Sequence, residues 1–89
     1  MNKPIRIPIK NDLELVCRQN VSPYDKQVFI YLEKNGVFLQ DIAYISPDYI
    51  INNDGTIDFS DDTISLTLFE DPEGDIYETE YLIPIIEED

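Results

Sequence analysis

Apolar side chains recur at every second position through most of this chain, and turn residues cut each run short before a helix-length pattern can build. Ile5, Ile7 and Ile9 alternate with Arg6, Pro8 and Lys10, and Ile64, Leu66 and Leu68 alternate with Thr63, Ser65 and Thr67. A strand points successive side chains to opposite faces, so each run describes a sheet with one apolar side. Between the runs stand Asn11-Asp12, Val21-Ser22-Pro23-Tyr24-Asp25, Glu33-Lys34-Asn35-Gly36, Ser46-Pro47-Asp48, Asn52-Asn53-Asp54-Gly55 and Asp71-Pro72-Glu73-Gly74. Asn-Gly supplies the positive φ angles of a tight hairpin at little steric cost, and proline fixes φ and donates nothing to a ladder.

This pattern predicts an all-β fold: a small antiparallel sandwich or barrel of about six to eight short strands joined by hairpins. Val28-Phe29-Ile30-Tyr31-Leu32 is apolar on both faces, which places it centrally, and Phe29, Tyr31, Phe38 and Phe59, each within an apolar run, are assigned mostly to the core. Tyr49 to Ile51 and Thr56 to Phe59 read as a hairpin around Asn52–Gly55. Residues 12–19 have two readings. Leu13, Leu15 and Cys17 fit a strand, whereas Asp12 fits the cap of one short helix holding Leu13, Val16 and Cys17. Pro8 and Pro84 argue for edges or bulges, and the echo of IRIPI in LIPII suggests two edge strands of one sheet. At 89 residues the expectation is a single acidic domain over 1–86 with a frayed end at 87–89.

Charge is distributed unevenly. Nineteen Asp and Glu against six Lys and Arg give −13. All six cations lie within the first 34 residues, and residues 35–89 hold fifteen carboxylates and no Lys or Arg. Six cations and five acids leave residues 1–45 at +1, so residues 46–89 carry −14. Apolar alternation persists through that half, so a folded element bears the charge.

Composition removes several classes of function. A net −13 disfavours direct contact with nucleic acid, which needs cations to displace counterions. The absence of histidine removes serine triads and the usual zinc ligand sets. A lone Cys17 makes no internal disulfide, and its parity with Leu13 and Leu15 marks it as a buried thiol rather than a nucleophile. Nineteen acids form pairs by chance, Trp is absent and three glycines make no phosphate loop, so no enzyme and no cofactor is expected. The start MNKPIRIPIKNDLELV has no apolar run of about 7–15 residues, and nowhere do about 18 apolar residues run together. The expectation is a cytoplasmic protein without membrane contact, a monomer or a homodimer through edge strands.

Asn52-Asn53-Asp54-Gly55-Thr56-Ile57-Asp58-Phe59 resembles the second half of an EF-hand calcium loop. Ile50 occupies the position of the first ligand, and Asp61 falls where the bidentate Glu belongs. A hairpin is therefore the expected role, and Asn52, Asp54 and Asp58 are only weak candidates for metal. The acids themselves are the stronger signal. Asp58, Asp61 and Asp62 crowd one segment and Asp71, Glu73 and Asp75 another, while Glu78 and Glu80 share one face of a strand at a pitch of about 6.6–6.8 Å. Such a face imitates the regular negative charge of a nucleic-acid strand. These eight acids, with Tyr77 or Tyr81 as aromatic anchor, are the candidate partner-binding residues.

The IRIPI start, VFIYLEKNGVFLQDIAYI, NNDGTIDF and the LIPIIEED tail together resemble small acidic β proteins carried by phages and conjugative elements of Firmicutes. Some proteins of that size, charge and setting are anti-CRISPR or anti-restriction inhibitors, several of them DNA mimics. The inhibitory role is an analogy of composition and setting with those proteins, and the resemblance assigns no residue. The expected function is a non-enzymatic inhibitor that occupies the cationic groove of a nucleic-acid-binding protein such as a CRISPR effector or nuclease. The alternatives are an immunity protein or antitoxin against a basic toxin, a weak calcium-binding β domain, and a mobile-element accessory protein.

Overall fold

The computed structural model describes residues 3–21, 26–46, 50–52, 56–60, 62–70 and 76–85. They form eight strands and no helix: β1 (Ile5–Lys10), β2 (Leu13–Val21), β3 (Lys26–Lys34), β4 (Val37–Ile45), β5 (Ile50–Asn52), β6 (Thr56–Phe59), β7 (Thr63–Glu70) and β8 (Ile76–Pro84). The segment open to two readings is therefore strand β2. Two antiparallel meanders result, a five-stranded sheet in the order β1-β2-β3-β4-β5 and a three-stranded sheet in the order β6-β7-β8. No helix is long and apolar enough to cross a membrane among these residues.

Alternation explains how the sheets meet. Leu13, Leu15 and Cys17 of β2, Val28, Ile30 and Leu32 of β3, and Ile42, Ala43 and Ile45 of β4 are buried on the inner side of the large sheet. Ile64, Leu66 and Leu68 of β7 with Ile83 of β8 are buried from the other side, and all belong to one apolar cluster. Ile5, Ile7, Ile9, Ile57, Tyr81 and Ile85 pack against its margin. Each fully buried Leu or Ile contributes about 1.5–3 kcal/mol from removal of its surface from water. The sheets are also joined by hydrogen bonding, since Gln19 Nε2 of β2 donates to the Pro84 carbonyl of β8 at 2.7 Å. The third principal extent is only 17 Å, as two layers about 10 Å apart require.

Three expectations are corrected by the pairing. β5 pairs with β4 and β6 with β7, so Ile50–Asn52 and Thr56–Phe59 belong to different sheets and are not partners in one hairpin. β1 and β8 are both edge strands, as their prolines require, but they border different sheets. Phe29 and Phe38 are 45% and 56% exposed, and Tyr31 is half-buried on the same outer side. The inner face of β3 is already supplied by Val28, Ile30 and Leu32, and parity sends Phe29 and Tyr31 the other way. The side chain of Phe59 lies outside the described set.

Candidate functional site

The outer face of the small sheet is built on β7. Its inward residues Ile64, Leu66 and Leu68 are fully buried, so Thr63, Ser65 and Thr67 must point outward between β6 and β8. Register then fixes what lies beside them. Asp58, Ser65 and Leu82 form one cross-strand row, and Thr56, Thr67 and Glu80 the next. Asp58, Glu78 and Glu80 are exposed, with Glu78 two residues along β8 from Glu80, where the β7–β8 ladder shifts register between Leu68 and Glu70. Neighbouring strands lie about 4.8 Å apart and Glu80 is one row along from Asp58, so the two positions are separated by roughly 12 Å on the face. Ser65 Oγ donates to Glu80 Oε2 at 3.0 Å and aims that carboxylate along the face. The result is a pleated surface of carboxylates and hydroxyls on a segment without a cation.

The structure sorts the candidate acids. Asp58, Glu78 and Glu80 share this face. Asp62 is exposed but belongs to the turn entering β7, where Thr63 Oγ1 donates to Asp62 Oδ1 at 3.2 Å. The turn is closed by Ser60 N donating to the Thr63 carbonyl at 3.0 Å and Ile85 N to the Asp62 carbonyl at 2.9 Å. Tyr81 sits opposite Leu66 and packs against the core, so it is not on the face that holds Glu78 and Glu80. Tyr77 is a β8 position whose side chain lies outside the described set, as do Asp61, Asp71, Glu73 and Asp75 altogether. Of the calcium-loop residues, Asn52 ends β5 and Asp58 lies on β6, in different sheets, and Asp54 is outside the described residues. Among the described residues no three His, Cys, Asp or Glu side chains converge to hold a metal ion. Cys17 is buried, and desolvation pushes its thiol up to about 11 against a weaker opposing effect from the Gln19 hydrogen bond.

The opposite face of the molecule is different in kind. On the outer side of the large sheet, Arg18, Phe29, Tyr44 and Ile51 form one cross-strand row and Arg6, Val16, Tyr31 and Asp41 another. Phe29 and Tyr44 stack with ring centroids 4.8 Å apart, Tyr31 and Phe38 with centroids 5.8 Å apart, and Arg18 Nε donates to Tyr31 Oη at 2.9 Å. Glu14 and Glu33 are direct cross-strand neighbours, an unfavourable pairing of like charges. Arg6 relieves it, with Nη1 2.6 Å from Glu33 Oε1 and 3.7 Å from Glu14 Oε1. The hydrogen bond to Glu33 raises the Arg6 pKa in turn. Sequence alternation alone did not single out this aromatic face, although its signal lies in the odd positions of β3, where Phe29, Tyr31 and Glu33 alternate with the aliphatic core.

No family model, curated protein or solved structure matches this chain.

Proposed function

We propose that this chain is a non-enzymatic inhibitor whose small-sheet outer face occupies the cationic groove of a nucleic-acid-binding protein, of the kind found in CRISPR effectors and nucleases. The observation that carries this reading is the placement of Asp58, Glu78 and Glu80 on one rigid pleated face, on a segment of 55 residues with no Lys or Arg. A cationic groove attracts such a face from beyond contact distance and speeds encounter. Inhibition then follows from occupancy, because nucleic acid and protein compete for the same cations. Each exposed pair contributes about 0.2–1 kcal/mol, so single alanine substitutions change affinity only slightly and the effect resides in the cluster.

The test is capture from a cell lysate with the wild-type chain and with the triple variant Asp58→Lys, Glu78→Lys, Glu80→Lys. The expected result is a nucleic-acid-binding protein retained by wild type, released by salt or by duplex DNA, and lost by the variant. Equal retention by both chains rejects the reading. A second reading, an immunity protein neutralising one basic toxin, is favoured by Leu82, 63% exposed in the row of Asp58 and Ser65, which gives the acidic face the apolar anchor such a complex needs. In that case duplex DNA fails to release the partner.

A further inference from the structure

Packing against β6–β8 accounts for the inner side of the large sheet and leaves an aromatic patch exposed on its outer side. Phe29, Phe38 and Ile51 are 45%, 56% and 49% exposed there, and the stacked Tyr31 and Tyr44 join them into one patch. Scattered exposed apolar residues are ordinary, but a contiguous aromatic patch on a sheet marks a contact surface.

We propose that this face is the contact between two copies of the chain, packed back to back through their five-stranded sheets. The charge distribution selects this occupant. The strands of the large sheet carry five cations and three acids and those of the small sheet four acids and no cation, so two copies repel least when their small sheets point away from each other. Stacked sheets lie about 10 Å apart, so a back-to-back dimer has four layers and holds its two acidic faces about 30 Å apart. That exceeds the screening length of about 8 Å at physiological salt several-fold. Any pairing through the acidic faces brings them to about 10 Å instead. A cationic partner has no such reason to choose the aromatic side, where Arg6 and Arg18 offset Glu14 and Glu33. A two-fold axis along β3 also carries the β2 side of one copy, with Arg18, over the β4 side of the other, with Asp41 and Tyr44. Opposite charges and a cation–aromatic contact then flank a shared aromatic centre.

Sedimentation velocity of the full chain over a concentration series tests this. Wild type is expected at twice 10.4 kDa, with a dimer that tightens as sodium chloride rises, because screening removes the residual repulsion. Phe29→Lys and, separately, Phe38→Lys at the more exposed end of the patch each weaken the dimer by roughly tenfold or more, since each places a charge in an apolar contact. Leu82→Lys on the opposite face does not. A wild-type monomer at millimolar protein in high salt overturns the proposal and leaves the face to a different protein. A dimer weakened by Leu82→Lys but by neither phenylalanine substitution overturns it as well.

Discussion

Gln19 is a polar side chain only 8% exposed, at the point where the two sheets touch. Its amide nitrogen has two hydrogens, and both are used: one toward the Pro84 carbonyl at 2.7 Å and one toward Cys17 Sγ at 3.7 Å. The thiol beside it has a consequence for pH dependence. Burial holds the folded Cys17 pKa at about 11, above its ordinary value of 9.0, so the folded state keeps a proton that the unfolded chain releases first. Stability therefore falls as pH rises from about 9 to about 11, by about 2–3 kcal/mol in all. Urea titrations over that interval check it. Cys17→Ala is expected to lose the part of the alkaline decline that the thiol contributes, and identical slopes in the two chains would contradict the assignment.

Among the elements, the β3–β4 hairpin is the one most fully determined by local chemistry. Asn35 at φ 54° and Gly36 at φ 78° occupy the two left-handed positions of a tight turn that matches strand twist. Asn35 N donates to the Asp12 carbonyl at 2.9 Å, tying this turn to the one between β1 and β2. A methyl group on Gly36 meets nothing within 4 Å, so the cost of Gly36→Ala is confined to the backbone. Left-handed geometry costs an L-residue about 1–2 kcal/mol, and denaturant midpoints are expected to fall accordingly while the fold is kept. A variant as stable as wild type would exclude this turn geometry. The turn could be read from Asn-Gly because its partners are adjacent in sequence. The partners of β5 and β6 could not be read in that way. Asn52-Asn53-Asp54-Gly55 has hairpin composition, yet Ile50–Asn52 adds to β4 and Thr56–Phe59 to β7. Strand choice there is decided by which sheet has an open edge.

For the molecule as a whole, net charge is the dominant liability. A chain at −13 repels itself when compact, most strongly along the small sheet, where no cation intervenes. Added sodium chloride is expected to raise the melting temperature by screening that repulsion. Asp58→Lys, Glu78→Lys, Glu80→Lys, each reversal removing one negative charge and adding one positive, brings −13 to −7 and should flatten the salt dependence. A melting temperature indifferent to salt in both chains would mean that the carboxylates are too dispersed to act together. The same three residues carry the proposed binding, so the stability lost to repulsion and the affinity for a cationic groove have one source.

Period-two alternation determined most of the strands (β2 excepted), the inward set Ile64, Leu66 and Leu68, the burial of Cys17 and the all-β class, because a strand's faces follow from its own sequence. The confinement of every cation to the first 34 residues is likewise a property of residue order alone. Tertiary structure decided the division into five and three strands, and with it the grouping of Asp58 with Glu78 and Glu80 and the separation of Tyr81 from them. It also turned Phe29 and Phe38 outward. Parity divides a strand's residues into two faces without saying which partner covers each, and that choice is made only when two sheets compete to bury the same apolar area.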